Sequence, residues 1–408
     1  MQNILGGVRI VEASAFVAAP LCGMTLAQLG ADVIRFDPIG GGIDYRRWPV
    51  TDDNTSIYWA DLNKGKRSFA VDLRKEEGRA LITRLICAPG PGAGIMATNL
   101  PARGWVDFET LKQRRADLIQ LAIVGDRHGG TALDYTVNCK VGFPYLTGPE
   151  DDDRPVNHVL PAWDIATAYL AATSLLAALR YRDQTGQGQK IELALADTAL
   201  AMMGNLGYIG EQIITGKRRT RGGNYVYGAY GHDFTTKDGE RIMLMAISHK
   251  MWQSVLAATG LGETMRAFAA KLGRDFDQEG DRYAARREIT EVLAAWIGAR
   301  TEAEISAAFD AHGVCWGRYQ SVAEFIEKDP DCTPDNPIFH LVEQPGIGTY
   351  PVPGVPMHFG AVARAPARRA PRLGEHTDEI LAGILGLSEA EIGRLHDQKI
   401  VAGPRPGR

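Results

Sequence analysis

The chain has 408 residues, 45% hydrophobic and 23% charged, with 45 basic against 49 acidic side chains and a net charge of −4. That length exceeds what one hydrophobic core usually fills, so two domains are expected. The near balance of charge leaves no basic excess to grip nucleic acid or an anionic membrane, and neither is expected as a partner.

Cys22, Cys87, Cys139, Cys315 and Cys332 are widely spaced and form no CxxC pair. This argues against a disulfide framework or a zinc site, and for a reducing, cytoplasmic setting. Met1 to Arg9 lacks the basic and apolar regions of a signal peptide.

The first third alternates strand and helix signatures. Val8–Ala13 and Asp32–Phe36 read as strands flanking a helix over Pro20–Gly30, since proline suits a first helical turn and glycine a stop. The pattern repeats through strand Ser68–Leu73, helix Lys75–Cys87 and strand Gly94–Thr98. After a short helix comes strand Leu118–Val124. Such alternation predicts an α/β fold with a parallel sheet and helices on its faces.

A long helix from about Ala162 to Asp183 is stopped by Thr185-Gly-Gln-Gly188. Its apolar stretch, Ile165–Leu179, is about five residues short of a membrane span. It carries Thr167, Tyr169, Thr173 and Ser174 and reads as a buried core helix. Strand Gln189–Leu195 and helix Asp197–Ile214 follow. Lys217–Gly231, rich in Arg, Gly and Tyr and without any period, reads as a linker or active-site loop. Strand Arg241–Ile247 and helices Lys250–Thr259, Arg286–Ala299 and Glu302–Ala311 predict a smaller α+β unit. Pro330–Arg372 is dense in proline with little regular pattern, and Glu375–His396 is helical again.

Between the first strand and helix stands Glu12-Ala-Ser-Ala-Phe-Val-Ala-Ala19, without the glycines of a GxGxxG turn, so NAD and FAD are poor candidates. Gly40-Gly-Gly42 reads as a plain loop, and there is no Walker lysine, G-x-S-x-G or HExxH. Asp164 stands at the start of the long helix. An aspartate there most often caps the helix, accepting free amide hydrogens of its first turn. The same place suits a nucleophile, because a helix N-terminus favours the ionised form and nearby amides can receive a developing oxyanion.

Tyr225, Tyr227 and Tyr230 alternate with glycines as either a mobile loop or a lid. Arg46 and Arg47 suit a phosphate or a free carboxylate, although such a pair is more often a solvated patch. Asn63-Lys-Gly-Lys-Arg67 suits a phosphate site or an exposed turn. His158 and His232 are lone histidines, for which packing is the usual role.

Several of these signals coincide with one family. Gly7-Val-Arg-Ile-Val-Glu-Ala13, Ala18-Ala-Pro20, Leu26-Ala-Gln-Leu-Gly-Ala-Asp-Val-Ile34 and Asn63-Lys-Gly-Lys-Arg-Ser68 resemble the family III CoA transferases. Thr185-Gly-Gln-Gly-Gln189 and Leu373-Gly-Glu-His-Thr-Asp-Glu379 do so as well, in order over nearly the whole chain.

The resemblance implies a Rossmann-like large domain, a smaller α+β domain and an interlocked homodimer. The large domain would span 1–215, the linker and small domain 216–330, and the return segment and last part of the large domain 331–408. It implies Asp164 as the catalytic nucleophile and a CoA site drawn from Val17, Ala18, Val71, Arg74, Asn99 and Arg103. Arg47, His158, Tyr225 and Tyr227 would form the substrate pocket. CoA would enter as part of the substrate, the thioester of a small dicarboxylic acid, with no tightly bound cofactor.

Two departures matter. Pro38 stands where formyl-CoA-transferring members place an arginine toward the phosphates. Leu133, in Ala132-Leu-Asp134, replaces the histidine base of the family's racemases, so racemisation loses its base.

Phe16-Val-Ala-Ala-Pro20, Asn157-His-Val-Leu-Pro-Ala-Trp-Asp164 and Gly222-Gly-Asn-Tyr-Val-Tyr-Gly228 are similar to members that move CoA from the C1 to the C4 carboxyl of mesaconate within one molecule. Transfer between two different dicarboxylic acids is the alternative, followed by acyl-CoA binding without catalysis.

Overall fold

Runs of Val, Ile and Ala too continuous to face water form the strands of a sheet buried on both sides. A computed structural model describes residues 4–404. The strands are β1 (Arg9–Ala13), β2 (Asp32–Pro38), β3 (Arg67–Val71), β4 (Ile95–Thr98), β5 (Ile119–Val124) and β6 (Lys190–Ala194). Between and after them lie α1 (Ala18–Gln28), α2 (Ile57–Leu62), α3 (Glu76–Ile86), α4 (Phe108–Lys112), α5 (Asp134–Lys140), α6 (Ala162–Thr185), α7 (Leu195–Asn205) and α8 (Tyr208–Thr215). The single helix expected over Asp197–Ile214 is thus two, broken at Gly207, whose φ is +82°.

Next come β7 (Tyr230–Thr235), β8 (Arg241–Ala246), α9 (His249–Thr259), α10 (Gly262–Leu272), α11 (Glu279–Ala284), α12 (Arg286–Gly298), α13 (Glu302–Ala311), β9 (Cys315–Arg318) and α14 (Val322–Lys328). The chain closes with β10 (Phe339–Gln344), β11 (Gly348–Pro353), α15 (Thr377–Gly383), α16 (Glu389–Asp397) and β12 (Val401–Ala402). The proline-dense stretch therefore holds an antiparallel hairpin, β10–β11, which the sequence pattern did not predict. Pro351 and Pro353 fit there because a two-stranded ribbon is all edge and needs fewer amide donors.

The chain divides into two units. The larger takes in the chain up to Val141, Val159–Gly210 and Asp329 onward; the smaller takes in Gly142–His158 and Glu211–Lys328.

In the larger unit the strand order is β12-β3-β2-β1-β4-β5-β6, parallel throughout except for β12. Alternate side chains go to opposite faces, as strand geometry requires. Val11, Ile34, Phe69, Leu81, Ile82, Ile380 and Leu395 form one core. Ile10, Val33, Ile95, Ile119, Leu26, Ala168 and Leu175 form the other.

α6 lays Ala168, Ala171, Ala172 and Ala178 into the second core, where small side chains let α1 approach closely. By length and composition α6 is a candidate membrane span, but this face is already packed. Its opposite face exposes Tyr169, Leu170, Leu176 and Tyr181, so burial is one-sided where the sequence suggested a core helix. The helix stops at Gly186, whose φ of +73° no other residue type adopts as readily. Two residues on, a Cβ at Gly188 would meet the Leu118 carbonyl oxygen at 2.0 Å, so glycine lets the turn touch the sheet.

In the smaller unit, β7, β8 and β9 form an antiparallel sheet. Trp252, Leu244, Ile289, Leu293 and Phe309 fill its core. Arg221 donates to the carbonyls of Pro144, Asp152 and Arg154, and Arg287 meets Glu150 at 2.7 Å, which ties residues 142–158 into this unit.

Candidate active site

In the larger sheet the strand order reverses between β1 and β4, and in open parallel sheets ligands settle beyond the strand ends at such a reversal. The loops after β1 and β4 meet there. Asn99 accepts from the Ala15 amide at 2.9 Å and donates to the Ala15 carbonyl at 2.7 Å. Val17 precedes α1 and is half-buried; Ala18 opens the helix and is buried. Phe16 has φ of +64°, and its amide donates to Asp44 at 3.1 Å.

Asp44 belongs to a buried ion cluster. Arg35 donates to Asp37 through two nitrogens at 3.0 Å each and to Asp44 at 2.9 Å. Lys66 donates to Glu12 at 2.7 Å, to Asn63 at 2.9 Å and to the Pro20 carbonyl at 2.8 Å. Lys64 and Lys66 are 5% and 3% exposed, so the Asn63–Arg67 run is neither an exposed turn nor open to a phosphate. Its second lysine is an internal partner of Glu12. Burial draws the Lys66 amine below its ordinary pKa, while Glu12 holds it up.

The Asp44 carbonyl also accepts from the Arg47 amide at 3.0 Å. The Arg47 guanidinium lies 5.4 Å from the centroids of both Phe16 and Tyr58, a cation between two aromatic faces. Burial raises the Tyr58 phenol, Arg47 opposes the shift, and the Asp164 charge adds to it. Arg47, Tyr58 and Asp164 thus feel one another's charge, although the sequence offered only the first and last as candidates.

Asp164 is the third residue of α6, not its cap. Pro161 precedes the helix and has no side-chain acceptor to offer, so the amides of Trp163 and Asp164 need another partner. Asp134, 3% exposed at the start of α5, supplies it: its Oδ2 accepts from the amides of Trp163 at 2.7 Å and Asp164 at 3.1 Å. The expected capping role therefore passes from Asp164 to Asp134, and with it the two amides that would otherwise steady an ionised Asp164. The electrostatic consequence reverses the sequence expectation. Burial, and next the Asp134 charge, push the Asp164 carboxyl up to about 6, with Arg47 pulling the other way. The result is a half-buried, basic carboxylate, well matched to attack an acyl group.

The remaining candidates spread out. Val71 ends β3 fully buried in the apolar core, which leaves a ligand none of its side chain. Arg74 is exposed and locked on Asp72 at 2.9 and 3.0 Å. Arg103 is exposed just before the 3-10 turn Gly104–Val106.

His158, Tyr225 and Tyr227 belong to the smaller unit. There the Tyr225 ring stacks on His232 at 4.0 Å and its hydroxyl donates to Thr290 at 3.3 Å. The Tyr227 hydroxyl donates to Glu211, and Arg219 lies 3.7 Å over its ring. Asp134 and Tyr58 were not singled out from sequence. Asp134 entered the sequence reading only as the neighbour of Leu133 in Ala132-Leu-Asp134, and nothing in the pattern linked it to a helix start about 30 residues on.

A family model described as CoA-transferase family III matches residues 5–377. The 2-methylfumaryl-CoA isomerase of Chloroflexus aurantiacus is 57% identical over 405 residues, spanning 99% of each chain. The succinyl-CoA–D-citramalate CoA-transferase of the same organism is 28% identical, over 97% of this chain and 98% of that one. A solved CAIB/BAIF family protein from Brucella suis superposes with a TM-score of 0.76 at 26% identity, over 94% of this chain and 100% of that one.

Proposed function

We propose, from the premise that this chain belongs to CoA-transferase family III, that it moves CoA from the C1 to the C4 carboxyl of mesaconate within one molecule. This is the reaction of a 2-methylfumaryl-CoA isomerase. The observation that carries the reading is the 57% identity to an enzyme of that name over 99% of both chains. The basic, half-buried Asp164 supports it chemically.

In the proposed mechanism the Asp164 carboxylate attacks the C1 thioester carbonyl. A C–O bond forms, the C–S bond breaks, and CoA leaves as thiolate from a mixed anhydride. The thiolate then attacks the Asp164 acyl carbon, releasing mesaconate and leaving an aspartyl-CoA thioester. The C4 carboxylate of the same diacid attacks that thioester and expels the thiolate again, which finally attacks the C4 carbonyl. The C4 ester and free Asp164 result, with no net gain of protons or electrons. The C1 ester, the aspartyl-CoA and the C4 ester are all thioesters of similar energy, so the transfer is near neutral overall, and each anhydride between them is a transient, higher-energy intermediate that the returning thiolate consumes.

The guanidinium of Arg47, oriented by Phe16 and Tyr58, is the proposed holder of the free carboxylate. Val17, Ala18 and Asn99, at the strand reversal, are the proposed start of the CoA site. The apolar outer face of α6 supports the proposal of a homodimer, which sedimentation would report as twice the chain mass. All five cysteines are unpaired, in keeping with the proposed cytoplasmic location.

The test is to incubate the pure protein with the C1 ester and labelled free mesaconate. Unlabelled C4 ester is expected. Label in the product would instead favour exchange between separate acids, as the name of the 28% identical relative describes. No C4 ester and no labelled ester of either kind would remove both readings.

A further inference from the structure

We infer that Asp134 is a positioning residue for Asp164: its buried carboxylate fastens the first turn of α6 and keeps a negative charge beside the nucleophile. The inference rests on Asp164 being the nucleophile.

Three observations lead to it. The first-turn amides of Trp163 and Asp164 converge on one oxygen of a side chain about 30 residues away, at 2.7 and 3.1 Å. Four residues along α5, Asn138 accepts from the Trp163 indole nitrogen at 3.1 Å. Residues four apart share a helix face, so α5 grips the start of α6 at two points. Finally, a neutral acceptor would satisfy two amides just as well, yet a carboxylate stands there, 3% exposed and next to a second carboxylate.

Free amides at the start of α6 would draw the Asp164 carboxylate onto themselves, because a side chain at the third helical position commonly reaches back to that end. With Asp134 in their place, the Asp164 carboxylate oxygens make no hydrogen bond among the described residues, which leaves their lone pairs available for an acyl carbon. The adjacent charge also makes Asp164 more basic, and a more basic carboxylate is the better nucleophile toward a thioester. The charged groups acting on Asp164 are Asp134 from α5 and Arg47 from the loop after β2, and the Tyr58 phenol from α2 in turn feels the Asp164 charge. Of these, Asp134 alone raises the Asp164 pKa.

Asp134→Asn separates the two roles, since it keeps an acceptor oxygen and removes the charge. Two readouts are taken on it and on the wild type: the pH dependence of kcat/KM, and that of carbodiimide modification of Asp164 without turnover. The acid limb and the labelling midpoint are expected to fall by about one pH unit. The high-pH plateau of kcat should drop about tenfold with KM little changed.

Asn138→Ala loosens the same grip without touching charge. It should lower the melting temperature and leave the limb in place. A wild-type limb and plateau in Asp134→Asn would overturn the inference, as would a limb that moves equally in Asn138→Ala. Hydroxylamine trapping on wild-type enzyme keeps the underlying reading separate: failure to mark Asp164 there would remove the nucleophile itself, whatever Asp134 does.

Discussion

Lys66, Arg35, Glu12, Asp37 and Asp44 are at most 3% exposed, and both cations meet carboxylates at 2.7–3.0 Å. At the start of α6, Asp164 is half-buried and faces a like charge, while Arg47 opposes that charge only in part. The same sheet carries both arrangements. In the first, attraction offsets desolvation and the groups hold the loop that carries Phe16. In the second, the balance is left unfavourable, and the strain appears as basicity. Buried charges that are paired fix a geometry, whereas one left next to its own kind is ready to react.

The contrast can be broken at several points. Asp164→Ala should abolish isomerisation, by at least about 10³-fold in kcat, with near-wild-type melting; substantial residual turnover would end its role as nucleophile. Lys66→Met should destabilise the protein by roughly 3–5 kcal/mol, because Glu12 is left charged and buried without its partner. A denaturant midpoint near that of the wild type would show that the cluster is not doing the holding.

Arg47→Ala should raise KM for the C1 ester about 10- to 100-fold, with a smaller change in kcat, if the guanidinium grips the free carboxylate. An unchanged KM would move that contact elsewhere.

The smallest effect is also the sharpest. The folded Asp164 carboxyl titrates near 6 against an ordinary 3.8, so the folded state binds its proton more tightly than the unfolded one. That contribution is favourable at low pH and is lost as pH rises through 6. Asp164→Asn should therefore be more stable than the wild type at pH 7.5, by roughly 1–2 kcal/mol, and no more stable near pH 4. Melting curves at the two pH values decide this. An Asn variant no more stable at pH 7.5 would mean that Asp164 is not poised in the way described.

The strand–helix alternation of the first 124 residues was legible in sequence, and β1 to β5 lie within a residue or two of the predicted spans. Continuous β-branched runs between helical periods have few other ways to be buried. Less legible were elements whose signal is not periodic. The hairpin β10–β11 lies among prolines that normally argue against strands. A single glycine, Gly207, splits what reads as one helix.

By itself, then, the sequence determined the parallel sheet, the glycine stop of α6 and the place of Asp164 at a helix start, because each follows from short-range pattern. It also carried the family resemblance. Only the tertiary structure decided what that helix start does. Asp134, Arg47 and Tyr58 reach Asp164 from three separate segments, and the Asn63–Arg67 run turns inward to Glu12. A carboxylate's basicity is set by burial and neighbouring charge, and both are properties of packing rather than of the residue's place in the chain.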